Sequence, residues 1–180
     1  ISAKAKSAIY LGSHTDLNLG GVAANLFPGG ALANANSEGV HTTNGGIVRL
    51  EAIGDVAAGV AGQVAISGAI SRLTIISESG SIGHEGLVGA DPSLNNNALL
   101  VRITGGGTLD LARAAQGIFL RQMAGDLILG NVAGGSGVRA AVQLGATGSI
   151  YALPQFTGDS VPHILGTSLD LRAGGAISFN

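Results

Sequence analysis

The residues of this sequence that could do chemistry are few and far apart. Histidine stands at His14, His41, His84 and His163, never in the His-x-x-x-His spacing that places two imidazoles on one metal. His84-Glu85 is the one adjacent histidine–carboxylate pair; near Asp91-Pro92-Ser93 and Asn95-Asn96-Asn97, it reads as a solvated loop. Acid–base work on a sugar needs carboxylates gathered with cations. The candidates are Asp110, Asp126 and Asp170, with Arg113, Arg121 and Arg172. If Leu109-Asp110-Leu111 stacked in register on Leu169-Asp170-Leu171, the two acids would share an outward position. The plainer reading is the wet side of strands, where exposed pairs contribute about 0–1 kcal/mol each. Sugar clefts usually stack rings on Tyr or Trp, and this chain has only Tyr10 and Tyr151 and no Trp. Gly105-Gly106-Gly107 and Gly134-Gly135-Ser136-Gly137 lack the Lys-Ser/Thr and following helix of a phosphate loop. Calcium-binding Gly-Gly-x-Gly-x-Asp nonapeptides and Thr-x-Thr arrays are absent. The sequence therefore predicts no catalytic residue, no cofactor and no metal ligand.

Composition narrows the elements that carry these residues. Glycine occurs 31 times in 180 residues, against an average of roughly 7%. Charged residues make up 11% and aromatics 3%, yet 46% of residues are hydrophobic, too many for a disordered chain. Collagen would place Gly at every third position among many Pro, and there are 4 Pro. A helical protein would not scatter Gly through its interior at about 1 kcal/mol each. Short strands, aliphatic ladders and Gly-rich bends remain. Without cysteine there is no disulfide framework, thiol chemistry or Cys-ligated zinc. The net charge of −2 offers no basic stripe to nucleic acid, and no apolar run approaches the roughly 18 residues of a membrane span. The chain opens at Ile1 without a signal peptide, and reads as a mature or excised segment of something longer.

A short pattern recurs: an aliphatic–polar–aliphatic strand, some small residues, then Gly and another aliphatic. It is clear in Val48-Arg49-Leu50 to Val56, in Leu73-Thr74-Ile75 with Ser79-Gly80-Ser81-Ile82, and in Leu109-Asp110-Leu111 to Ile118. It returns in Leu127-Ile128-Leu129 to Val132, in Val142-Gln143-Leu144 with Thr147-Gly148-Ser149-Ile150, and in Leu169-Asp170-Leu171 to Ile177; Leu99-Leu100-Val101-Arg102-Ile103 is one more such strand. Period-two alternation buries one face and wets the other. The second aliphatic of each copy falls at 50, 75, 111, 129, 144 and 171, uneven steps that suit coils of constant shape with loops of different length. One copy has too few apolar side chains for a core, so copies must stack. At ~20–25 residues per coil the chain would make about seven to nine coils. Residues 1–46 are less regular, with scattered Asn18, Asn25, Asn34 and Asn36 and a turn at Phe27-Pro28-Gly29-Gly30, and read as further coils or a cap. Residues 84–98 and 151–167, the latter with Pro154, Phe156 and Pro162, read as excursions.

Leu109-Asp110-Leu111-Ala112-Arg113-Ala114-Ala115-Gln116-Gly117-Ile118-Phe119-Leu120 followed by Ala124-Gly125-Asp126-Leu127-Ile128-Leu129-Gly130 resembles the repeat of large filamentous adhesins, the filamentous-haemagglutinin-like and leukotoxin-type exoproteins of Gram-negative bacteria. Gly80-Ser81-Ile82-Gly83 and Gly148-Ser149-Ile150 resemble the Gly-Ser-Ile element of those repeats. The resemblance covers roughly residues 47–180. It implies two-partner secretion through an outer-membrane partner, a cell-surface location and a long, generally non-catalytic right-handed β-helix.

The expectation is an all-β fold, a right-handed parallel β-helix running as one solenoid over residues 1–180. Its function would be that of a structural or adhesive shaft. Its partners would be neighbouring coils or subunits end to end, with a host-surface receptor or glycan as a further partner. A carbohydrate-active β-helix enzyme is the alternative, and a binding module built on the two excursions is the third reading.

Overall fold

Alternating aliphatic and polar residues at period two give strands, and strands are what the chain forms. The computed structural model describes residues 1–20, 39–86, 95–134, 141–152 and 164–179, and every regular element among them is a strand. In chain order these are β1 (Ala3–Ala5), β2 (Ala8–Ser13), β3 (Leu17–Leu19), β4 (Val40–Ala52), β5 (Val56–Ala58), β6 (Val64–Ser77), β7 (Ser81–Ile82), β8 (Leu99–Thr104), β9 (Thr108–Ala114), β10 (Gly117–Gln122), β11 (Leu127–Gly134), β12 (Ala141–Ala146), β13 (Ile150–Ala152), β14 (Ile164–Leu165), β15 (Ser168–Ala173) and β16 (Ile177–Ser178). They join in one sheet through parallel pairings between strands that are not consecutive: β2 with β4, β4 with β6, β6 with β9, β9 with β11. Parallel neighbours need a long connection between them. Here that connection is a whole pass of the chain, which brings the next strand back alongside the last.

The register turns the aliphatic pattern into columns. Leu17, Val56, Ile82, Ile118, Val142 and Leu169 succeed one another in one column, which gives six levels. A second column runs Ile9, Val48, Leu73, Leu109 and Leu129, and a third contains Val40, Ile66 and Val101. Their middle members are wholly buried and belong to one continuous core. Each such side chain contributes about 1.5–3 kcal/mol when fully buried, so a single level is far too small to stand alone. Among the described residues six levels share this column, and some of the passes between them are long. Corner partners lie 39 residues apart at Asp16 and Asp55, 26 at Asp55 and Ser81, and 23 at Asp126 and Ser149.

The uneven repeat steps also have a structural cause. The copies beginning at Val48 and Leu73 lie in the β2–β4–β6 stack and lead through a corner to Val56 and Ile82. The copies beginning at Val142 and Leu169 lie in the β10–β12–β15 stack and lead through a different corner to Ile150 and Ile177. The sequence pattern thus reports two kinds of corner as one repeat. Alternation also fails at one predicted strand. Leu73 pairs with Leu109 but Thr74 pairs with Leu111, so Asp110 is the extra residue of a bulge. The bulge shifts the side chains beyond it, and Ala112, not Leu111, takes the buried place above Ile75. The expectation that both leucines of Leu109-Asp110-Leu111 face inward is corrected by this bulge. Leu169 and Leu171 do fall in the columns of Val142 and Leu144.

The corners explain the Gly-Ser-Ile element. Asp16 Oδ1 accepts the Asp55 N–H at 2.9 Å, and Asp55 Oδ1 accepts the Ser81 N–H at 2.7 Å. At the other corner Asp126 Oδ1 accepts the Ser149 N–H at 2.7 Å, and Ser149 Oγ accepts the Ala176 N–H at 3.2 Å. A short oxygen-bearing side chain in one level therefore receives the backbone donor of the next. The glycine before each donor lies under that oxygen. A Cβ at Gly54, Gly80 or Gly148 would fall onto the Asp16, Asp55 or Asp126 carboxylate. In Gly54-Asp55-Val56 and Gly148-Ser149-Ile150 the spelling thus has a physical reason: no Cβ, then an acceptor for the next level, then a core residue.

Among the buried polar side chains, Gln122 stands in an aliphatic column. Gln122 occupies the column between Val101 and Ala146 and is 2% exposed. β10 ends here while β8 runs on to Thr104, and the carboxamide stands in for the missing peptide. Its Oε1 accepts the Ile103 N–H at 3.0 Å, and its Nε2 donates to the Ile103 carbonyl at 2.7 Å and the Ala124 carbonyl at 2.7 Å.

In the second level β5 ends at Ala58 and strand structure resumes at Val64, and in the third β7 and β8 are separate elements that both pair with β10. In the later levels β10, β12 and β15 run straight through the same place. Beside β8 and β10, Ala98, Leu100 and Phe119 form a small second apolar cluster, with Met123 and Ala141 against it. Asn95 organises the approach to β8. Its Oδ1 accepts the N–H of Asn97 and Ala98, and its Nδ2 donates to the His84 carbonyl and to Gln143 Oε1. The turn at Phe27-Pro28-Gly29-Gly30, Asp91-Pro92-Ser93, Gly135-Ser136-Gly137, Pro154, Phe156, Pro162 and His163 lie outside the described residues.

Candidate functional site

The parallel register decides which chemistry-bearing residues meet. Asp110 lies in the bulge of β9, flanked by β6 and β11, whereas Asp170 lies on β15 beside Gln143 of β12. The two acids are in separate stacks and do not share the outward position that in-register stacking of their motifs suggested. Asp126 is spent at a corner on the Ser149 N–H. Arg113 is exposed on β9, while Arg121 and Arg172 flank Gly145 along one column. Arg172 Nε donates to Asp170 Oδ1 at 3.1 Å with both side chains well exposed, and Arg49 pairs in the same way with Glu51 two residues on. These carboxylates pair along their own strands or at corners rather than across a shared groove. Among the described residues no three His, Cys, Asp or Glu side chains come together to hold a metal ion.

His14 is exposed, and His84 and Glu85 are exposed in a loop whose order comes from backbone bonds: the His84 N–H donates to the Asn97 carbonyl at 2.9 Å. Sequence reasoning missed a different histidine. His41 Nδ1 and Ser67 Oγ are 2.7 Å apart, although 26 residues separate them in the chain. No local motif marks the pair; only the register that sets Val40 beside Ile66 creates it.

A serine bonded to an imidazole is the arrangement that activates a nucleophile. Two features turn it toward structure. Ser67 is 2% exposed, so its hydroxyl offers no face to a substrate. The column runs Lys4, His41, Ser67, Arg102, so the bond lies along the ladder that joins neighbouring levels. The bond instead ties one level to the next, as Thr42 Oγ1 does by donating to the Ala69 carbonyl at 2.7 Å.

The carbohydrate-enzyme alternative makes Asp126 a catalytic acid; its position makes it a corner acceptor. Replacing Asp126 by Ala is expected to cost about 1–3 kcal/mol, since the Ser149 N–H loses a charged acceptor. Asp126→Asn, which keeps an oxygen at that place, should lose less than half as much. Urea unfolding midpoints of the two variants check this ordering, and equal losses would contradict the acceptor role.

Comparison with protein-family models, with curated proteins and with solved structures finds no match to this chain. Among the described residues no helix is long and apolar enough to cross a membrane.

Proposed function

We propose that this chain is a stretch of right-handed parallel β-helix that serves as a structural or adhesive shaft segment of a secreted bacterial surface protein, without catalytic activity. The observation that carries the reading is the set of aliphatic columns, continuous from Leu17 to Leu169, each level supplying the same few core side chains. Such a core has no natural upper limit in the stacking direction, so it suits an element whose task is length. The polar groups support the same reading. They bond level to level at the corners or pair along exposed strands, and both uses stiffen or solubilise a wall. The resemblance of residues 47–180 to filamentous adhesin repeats supports reading such a wall as extracellular, delivered through an outer-membrane partner, with end-to-end neighbours and a host receptor or glycan as partners.

Electron microscopy of the purified chain tests the proposal. Short rods, with a repeat near the ~4.8 Å interstrand spacing along the rod axis, are the expected result. Compact globules would overturn the shaft reading and favour a binding module.

A further inference from the structure

Asn44 is the one asparagine of the sequence that is followed by glycine, and the fold leaves that pair outside the ladders. On one side β4 pairs with β1 as far as Thr42 and with β2 from Ile47 onward. On the other side it pairs with β6 at Thr42 and again at Gly46, with a register shift between them. Thr43, Asn44 and Gly45 fall in none of these pairings, and all three are exposed. They are the surplus of a bulge. Gly45 has φ +64°, and a Cβ built on it would have nothing within 4 Å.

We propose that Asn44 is a self-modifying position, at which the chain converts asparagine to aspartate and isoaspartate without an enzyme. The Gly45 amide nitrogen gives its proton to solvent and attacks Asn44 Cγ. The N–Cγ bond forms, the Cγ–Nδ2 bond breaks, and Nδ2 leaves as ammonia with a proton from water. A five-membered succinimide results, and water opens it. Attack at Cγ breaks the new bond and gives aspartate. Attack at the Asn44 carbonyl carbon breaks the original peptide bond and gives isoaspartate, in which the chain runs through Cγ. Water is the only co-reactant, and nothing is oxidised or reduced. Ring closure needs an uncrowded nitrogen and a backbone free to swing. Glycine has no Cβ to hinder the approach, and the bulge takes the nitrogen out of the ladder. Other described asparagines lack these conditions. Asn18 and Leu19 are both paired in β3–β5, and Asn131 and Val132 in β9–β11. The N–H groups that follow Asn96 and Asn97 already donate to Asn95 Oδ1, and the Asn95 carboxamide is tied to the His84 carbonyl and Gln143. The product is one charge more negative than the −2 of the unmodified chain. The new carboxylate lies across from exposed Lys6, which stands between Ala5, paired with Thr42, and Ser7, whose carbonyl accepts the Ile47 N–H at 2.8 Å. Isoaspartate lengthens the main chain by a methylene, and a bulge with no register partner takes that up without shifting its neighbours.

Incubation of the 180-residue chain in mildly alkaline buffer tests this, beside a free peptide of residues 40–49 as the unfolded reference. The incubation lasts as long as the peptide needs to convert by half. Isoelectric focusing follows the added charge, and peptide mapping by mass spectrometry locates it and separates aspartate from isoaspartate. The folded chain should convert within about tenfold of the peptide's rate, because segments outside the cooperative ladders open at little free-energy cost. The acidic form should map to Asn44, contain both products and keep the far-ultraviolet β spectrum. Asn44→Gln, whose ring would have to be six-membered, should give no acidic form in that time. A folded chain that stays unmodified, or converts more slowly than that tenfold margin, overturns the proposal. So does an acidic form that maps to another asparagine or persists in Asn44→Gln. Loss of the β spectrum on conversion would overturn the placement of the site outside the ladders.

Discussion

Gln122→Leu is expected to destabilise the chain by about 3–5 kcal/mol, although it replaces a polar side chain by an apolar one in the middle of an apolar column. Leucine fits between Val101 and Ala146. What it cannot do is serve the backbone. The Ile103 N–H and carbonyl and the Ala124 carbonyl all lose the carboxamide that satisfies them, and each buried polar group left unpaired costs about 1–3 kcal/mol. Gln122→Glu should be worse. A carboxylate in place of the carboxamide has no N–H for the two carbonyls and would set negative charge against them in a buried site. The predicted order of urea midpoints is wild type, then Leu, then Glu. Hydrogen exchange adds a local check: the Ile103 amide should lose protection in Gln122→Leu beyond the global loss. If Leu proves neutral, the carboxamide is not acting as a surrogate peptide.

Gly54→Ala should destabilise by about 1–3 kcal/mol, the usual cost of forcing atoms into a filled site, and Asp16→Ala should relieve most of that loss when combined with it. The new Cβ at Gly54 collides with the Asp16 carboxylate oxygen, while the nearest backbone atom, the Asp16 nitrogen, lies 3.1 Å away. The clash is therefore removable. Gly80→Ala is the control. A Cβ there meets the Asp55 carboxylate but also the Gly54 carbonyl carbon and the Asp55 nitrogen, at 2.7 and 2.8 Å. Asp55→Ala cannot clear backbone atoms, so the corresponding double variant should recover little. Two double-mutant cycles measured by denaturant unfolding compare the coupling energies. Equal coupling at both corners would show that the glycines are required for another reason.

These two predictions mark how much could be read from the chain alone. The all-β class and most of the strands were legible because Val48, Leu50, Leu73 and Ile75 alternate with polar residues, and that period has one structural meaning. The Gly-Ser-Ile corners were visible as spelling, but their reason lies in a carboxylate one level away, which no local pattern contains. The bulge at Asp110 was hidden for a related cause. Leu109-Asp110-Leu111 alternates as well as Leu169-Asp170-Leu171 does, and only its neighbour β6 shows that one residue is surplus. The His41–Ser67 bond and the separation of Asp110 from Asp170 also follow from register alone. Register in turn depends on pass lengths, which run from about 20 residues between Leu109 and Leu129 to 39 between Asp16 and Asp55. Nothing in the local sequence marks Gln122; its burial follows from β10 stopping short of the end of β8.

Those pass lengths carry a consequence for how the protein is made. Each level finds its partners in the level before it, within a few tens of residues, so no segment must wait for a distant one. A chain released gradually from one end can add finished levels to those already formed, each addition gaining its buried side chains at once. Such order-by-arrival makes the folded part a growing template, and leaves little unfinished chain at any moment to aggregate.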